Sequence, residues 1–368
     1  MIAAFGTYDA RKHPRVAVLV AGLREHGHEV VELNRPLGFS TAERVRMLQQ
    51  PWRLPLLVLR LLACWAGLVA DAAALRRRSG RPEAVLVGYM GHFDVVLARL
   101  LFPRSRVVLD HLIFAGDTAS DRGATGLRVR LLTALDRVAT ACADVVVTDT
   151  EEHREMLRSP GKGVVVRVGA ADEWFAAADA AQRTRGEGDP LRVVFFGLFT
   201  PLQGAPVIGE AAAMALAAGV PLELTMVGSG QDHAAVRARL DGSPAVTWHD
   251  WVGPAELPAL VASHDVCLGI FSDTPKGRRV VPNKVYQGLA AGCVVVTSDT
   301  APQRRTLGEA LVLVPPADAA ALASRLGELA QPDRLAQARA RARAGRAAVR
   351  PRAVVEPLVA ALATVSAR

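Results

Sequence analysis

The chain has 368 residues, 51% of them hydrophobic and only 5% aromatic, which is length enough for two ordinary domains whose cores are filled mainly by Ala, Val and Leu. Its formal charge of +8 comes almost wholly from arginine, since lysine stands only at 12, 162, 276 and 284. No compact basic stretch is interleaved with stacking aromatics, which argues against nucleic acid and leaves an anionic small molecule or an anionic membrane surface as partner.

In chain order, "IAAFGTY" reads as a first strand, and its apolar start with a basic follow-up is the wrong order for a signal peptide. The loop "TYDARKHPR" follows, where Lys12 and His13 can meet a phosphate or acceptor or simply begin a helix; Pro14 suits that helix's first turn. The helix runs to about His26, Gly27 ends it, and "HEVVEL" is the next strand. Residues 54–78, "LPLLVLRLLACWAGLVADAAALRRR", are interrupted by Arg60 and Asp71, too soon for the roughly 20 apolar residues of a spanning helix. They suit a buried helix, or an interfacial one with the leucines and Trp65 in the headgroup layer and arginines on anionic lipid.

Further strands are "AVLVGY", "RVVLDHL", "DVVVTD" and "VVVRVG". His92 follows one strand end, and Asp94 is placed to cap the next helix. Asp110 and His111 end another, with Asp117, Asp121 and Arg122 on the loop beyond. A carboxylate or imidazole at His111, Asp117 or Asp110 can orient a hydroxyl or take its proton; helix capping is the alternative for Asp117. In the helix "VRLLTALDRVATACA", Leu131, Leu132, Leu135 and Val138 share a face that predicts the core side. The polar stretch 172–190 reads as a linker.

A second strand–helix alternation follows, from "LRVVFFG" to "ALVLVPP", and the Ala/Arg-rich stretch from Gln331 to Arg352 reads as a solvated terminal helix. The class is therefore α/β: two doubly wound parallel sheets of Rossmann type, with ligands expected in the cleft between them. The four cysteines are far apart in apolar runs, which suits buried reduced thiols better than a zinc site.

In the second half, strands end at Gly197, before "LFTPLQG" with Gln203 and Gly204, and at Gly228, before Gly230. Such turns let a ligand approach the backbone and offer helix N–H groups to a phosphate. The segment "KGRRVVPNKVYQGLAAGCVVV" then sets Lys276, Arg278, Arg279 and Lys284 just before a small-residue helix. Lys284 stands at the helix start, where the macrodipole disfavours a cation unless an anion is present. Asn283 and Gln287 are carboxamides that can both donate to and accept from ligand hydroxyls, and a solvated loop is the bland alternative.

The order of these features resembles the donor-binding domain of retaining glycosyltransferases of the GT-B fold, family 4. It departs from the family at its four charged positions, which carry Leu198, Gln203, Arg279 and Gln287. "PNKVYQGLAAG" with "FTPLQG", "GYMGHFDVVLARLL" and "GDTASDR" resembles a bacterial branch with PNKxxQ in place of the paired glutamates. The resemblance implies an acceptor-binding domain at 1–175, a nucleotide-sugar domain at 190–350, and a helix at 351–368 packing back on the first domain. It also implies a nucleotide diphosphate sugar donor, a hydroxyl acceptor (a lipid-linked one among the options), retention at the anomeric carbon and no cofactor or metal. Reduced cysteines and the missing signal-peptide pattern point to a cytoplasmic place, with a peripheral position at the inner face of the membrane as a variant. The rival readings are a sugar-nucleotide epimerase of the same fold and a non-catalytic sugar-nucleotide or lipid-binding protein.

Overall fold

The computed structural model describes residues 1–9, 14–39, 50, 52, 54–121, 123–181, 186 and 188–365. Lys12, His13 and Arg122 lie outside them. The chain forms two compact units, Met1–Val166 with Val355–Arg368, and Arg167–Val354.

The first unit contains β1 (Ile2–Gly6), α1 (Arg15–Glu25), β2 (Val30–Asn34), α2 (Leu54–Ser79), β3 (Ala84–Val87), α3 (Asp94–Leu101), β4 (Arg106–Asp110), α4 (Ala115–Asp121), α5 (Leu127–Cys142), β5 (Val145–Thr148), α6 (Glu151–Glu155) and β6 (Gly163–Val165). Its strands pair in the order β2-β1-β3-β4-β5-β6, all parallel. Their unbroken Val, Leu and Ala runs are what a sheet covered on both faces requires. Phe5, Val87 and Leu109 of the sheet share one core with Leu68, Ala72 and Leu75 of α2, Val95 and Ala98 of α3, and Ala139 of α5.

Three helices differ from the sequence expectation. α2 buries Cys64, Leu68, Ala72 and Leu75 but exposes Leu56, Val58, Leu59 and Leu62. Its Trp65 faces inward, donating from Nε1 to Asp94 Oδ1 at 2.9 Å. Asp94 itself caps no helix; its other oxygen accepts from Thr7 N at 2.7 Å and Thr7 Oγ1 at 2.8 Å, tying α3 to the end of β1. α5 is rotated in part: Asp136 and Ala139 are buried, Leu132 and Leu135 of the predicted core face are half-buried, and Leu131 and Val138 of that face are exposed. The buried carboxylate decides the rotation, because Asp136 satisfies backbone N–H groups that would otherwise be orphaned.

The second unit contains α7 (Asp172–Ala180), β7 (Leu191–Phe196), α8 (Ala205–Ala217), β8 (Leu222–Val227), α9 (His233–Arg239), β9 (Val246–His249), α10 (Leu257–Ala262), β10 (Val266–Leu268), α11 (Asn283–Ala290), β11 (Val294–Ser298), α12 (Ala301–Leu307), β12 (Leu311–Val314), α13 (Ala319–Leu329) and α14 (Pro332–Gly345). The sheet order is β12-β11-β10-β7-β8-β9, again all parallel. The expected linker at 172–190 begins instead with α7, whose Trp174 stacks on Phe196 with ring centroids 5.7 Å apart. The unit boundary accordingly falls at Val166, ahead of residue 175. The Ala/Arg-rich stretch is also no mere solvated helix. Arg339 bonds the buried Asp265 at 2.6 Å, and Arg346 bonds the carbonyls of Ala290 and Phe175, both at 2.9 Å.

The last helix, α15 (Pro351–Val365), belongs to the first unit from Val355 on. Arg106 of β4 donates to the carbonyls of Ala361 at 3.3 Å and Leu362 at 2.7 Å. All four cysteines are free, and Cys64, Cys267 and Cys293 are buried.

Candidate functional site

In the second sheet the chain starts at β7, moves out to β8 and β9, then returns to the other side with β10. Strand order therefore reverses between β7 and β10, and such switch points form crevices beyond the carboxyl ends of the strands. Gly197 follows β7 there, and α11 follows β10. Lys284 occupies the second position of α11 and is buried, 6% exposed. Its Nζ lies 3.8 Å from the centroid of the Phe195 ring and has no hydrogen-bond partner among the described residues. A Cβ on Gly197 would stand 3.2 Å from that ammonium, so the glycine leaves it room. Burial pushes the Lys284 amine down to about 7.

A ring face offsets part of the desolvation of an ammonium, about 2 kcal/mol when water is excluded. It satisfies none of the three N–H donors. A cation at the start of a helix is further opposed by the macrodipole. An anion at the carboxyl end of β7 would answer both deficits.

Gln287 is half-buried one turn further along α11, and Asn283 is exposed at its first position. Gln203 is half-buried at the end of a short 3-10 turn, its carbonyl accepting from Phe271 N at 3.0 Å and its side-chain Oε1 buried without a partner. These residues belong to the same switch point as Lys284. The other cations of the segment do not share its burial. Arg279 is bonded to the Pro275 carbonyl at 3.0 Å and exposed Arg278 to that of Asp273 at 3.1 Å, so both are tied to their own loop.

The glycines divide by what they meet. Gly204, with φ of 66°, lies against the Phe271–Ser272 backbone, and a Cβ there would come within 2.6 Å of it. Gly228 and Gly230 lie against the carbonyls of Gly197 and Phe199 respectively. Positive φ and backbone packing already account for these three. Of these four site glycines, Gly197 alone leaves space that faces a charged group.

The first unit gathers a different set. Asp110 is buried and bonded by Arg15 Nε at 3.1 Å, while Arg15 Nη2 donates to the Val166 carbonyl at 2.9 Å. Burial pushes the Asp110 carboxyl up, and the guanidinium beside it pulls the other way. Asp110 thus holds Arg15 inside the unit through Oδ1, while its Oδ2 is buried without a hydrogen-bond partner among the described residues. His111 is also buried, edge-on to His92 and Phe114, with Nε2 3.8 Å from Asp136 Oδ1 and no hydrogen-bond partner on that nitrogen. Burial, reinforced by His92, pushes its imidazole down to about 3. It is neutral at physiological pH and a weak base.

Asp136, which sequence reasoning passed over, is the hub. Oδ1 accepts from Ala115 N and pairs with His92 Nε2, both at 2.9 Å, and Oδ2 accepts from Gly116 N at 3.0 Å. Burial opposes its charge, yet the bonds from His92, Gly116 and Ala115 hold its carboxyl below the ordinary range. The ligating atoms of His92, His111 and Asp136 lie within 4.8 Å of one another, so this trio is the place among the described residues where a divalent ion would fit. Asp117, half-buried in the first turn of α4, lines a groove of about 510 Å³ with Phe114, Asp136 and Arg137. The signal for Asp136 was that it is the one carboxylate of a helix otherwise charged by arginine, a pattern shared with any solvated helix face.

Residues 190–332 match the family model for glycosyl transferases group 1. No curated protein matches the sequence significantly. Among solved structures, the chain resembles HepE of Anabaena in complex with UDP-glucose, with a TM-score of 0.65 at 13% identity over 100% of this chain and 99% of that one. It resembles a glycosyltransferase of Rickettsia africae, with a TM-score of 0.65 at 11% identity over 99% and 98% of the two chains. It also resembles sucrose-phosphate synthase of Thermosynechococcus elongatus, with a TM-score of 0.59 at 17% identity over 83% and 78%. At these identities the likeness establishes the two-domain GT-B fold.

Proposed function

We propose that the chain is a glycosyltransferase that moves a sugar from a UDP-sugar donor to an acceptor hydroxyl with retention of configuration. The observation that carries this reading is the unpartnered, buried ammonium of Lys284 at the switch point of the second sheet. The family match of 190–332 lies on the same unit, and the Anabaena neighbour is complexed with UDP-glucose.

In this reading the donor diphosphate lies at the start of α11. Lys284 and the free N–H groups of that helix hold it, and Gln287 and Gln203 bond donor hydroxyls. Catalysis is electrostatic: the ammonium and the helix terminus stabilise the charge that grows on the leaving diphosphate as the glycosidic bond breaks. Lys284 supplies the positive charge a metal would otherwise give, so turnover is expected to survive EDTA.

Calorimetric titration of UDP-glucose, UDP and uridine into the protein and its Lys284→Met variant tests the proposal. A charged hydrogen bond to phosphate contributes about 1.5–3 kcal/mol, so UDP and UDP-glucose should bind the variant roughly ten- to a hundredfold more weakly, and uridine equally. Equal binding of UDP to both proteins would remove Lys284 from the phosphate site.

A further inference from the structure

The helices that carry the chain from β2 to β5 all cross in the same direction over the first sheet. Right-handed crossover therefore places α2, α3 and α5 on one face, where α2 packs beside α3 and α3 beside α5. Their outward sides are apolar to an unusual degree. Leu59 is 65% exposed on α2, Leu100 72% on α3 and Leu127 70% on α5, with Leu56, Leu62 and Leu131 beside them in sequence register.

Charge on the same helices is one-sided. Together they carry eight arginines, among them Arg60, Arg128, Arg130 and Arg137, against three aspartates. None of the three aspartates is free on the surface. Asp94 and Asp136 are buried, and Asp71 is bonded by Arg35 at 2.7 Å through both of its oxygens.

We infer that this three-helix face docks on a bilayer containing anionic phospholipid. Exposed leucines enter the boundary between headgroups and acyl chains, and the surrounding arginines meet lipid phosphates. A second copy of the chain is a poorer occupant, because an isologous contact would set arginine against arginine. A spanning role for α2, whose length and composition permit it, would pull Leu68, Ala72 and Leu75 out of the first unit's core. The face therefore lies on the membrane rather than in it.

Co-sedimentation of the full chain with vesicles tests this, using phosphatidylcholine alone and phosphatidylcholine mixed with phosphatidylglycerol. Two variants accompany it, Leu59→Glu with Leu62→Glu, and Arg128→Glu with Arg130→Glu. All substituted side chains are exposed, so thermal melting should be unchanged. The wild type should bind the anionic vesicles at least about tenfold more than the neutral ones and be released near 1 M salt, where the screening length is only about 3 Å. Each variant should lose roughly tenfold or more in partitioning. Absence of binding at low salt, equal binding to neutral vesicles, or unchanged binding of the leucine variant would overturn the inference. So would resistance to an alkaline wash, which marks a spanning helix. A dimer in size-exclusion chromatography that the leucine variant dissolves would assign the face to a second copy instead.

Discussion

Lys284 makes the free protein and its liganded form want different things. Its amine is pulled from 10.5 to about 7, so between those values the unfolded chain holds a proton that the folded chain has shed. Stability contributed by this site therefore rises as pH rises from about 7 toward 10.5, and the burden is largest at the low end. Lys284→Met should raise Tm near pH 7, and the gain should shrink as the pH approaches 10.5, which calorimetric scans across that range would register. Beside a diphosphate the amine regains its charge, so binding takes up a proton. Affinity for UDP-glucose should fall above about pH 7, by at most roughly tenfold per pH unit. A flat profile in titrations from pH 6.5 to about 9 would separate the lysine from the donor. The Arg15–Asp110 pair offers the opposite lesson. Asp110→Ala strands a buried guanidinium and should cost about 3–5 kcal/mol in urea unfolding, whereas Arg15→Met with Asp110→Leu should recover most of it.

At the scale of elements, α11 is held against β10 by a side chain that is missing. A Cβ on Gly288 would come within 2.6 Å of Cys267 Sγ and 2.7 Å of its Cβ. Gly288→Ala should therefore push the helix off the strand, lower stability by about 1–3 kcal/mol and displace Lys284 one turn earlier on the same helix. Gly327 in α13 is the control. Its added methyl would meet only Val220 Cγ2 at 3.5 Å, so Gly327→Ala should stabilise by up to about 1 kcal/mol. Thermal melts of the two variants should shift in opposite directions. Elements of this kind were largely legible in the sequence, because the Val-rich runs of β4, β7 and β11 and the glycines after β7 and β8 report the backbone directly. Lys284 was legible too, as a cation where a helix start disfavours one. Helix rotation was not. α5 presents Leu131 and Val138 to solvent because Asp136 is needed inside by Ala115 and Gly116, and periodicity counts leucines without seeing the N–H groups a carboxylate must satisfy. The Asp110–Arg15 pair was missed for a related reason, since residues 95 apart in sequence leave no local trace of their contact.

At the scale of the whole molecule, the chain leaves the first unit at Val166, builds the second without interruption, and returns at Val355. Removing residues 355–368 takes away the carbonyls that Arg106 bonds and should loosen the first unit alone. Hydrogen exchange of the truncated chain should quicken in β3 and β4 while β7, β10 and α11 keep their protection; equal loosening of both units would show that α15 serves them jointly. This route through the fold also orders events on the ribosome. The second unit is encoded by one unbroken stretch, so it can finish folding while the first, begun earlier, still waits for its last helix. Of the two units, the one begun earlier is thus the later to mature, and a slot beside β4 stays open throughout the synthesis of its neighbour. Chaperone capture of nascent chains should therefore persist at the first unit until α15 has emerged from the exit tunnel.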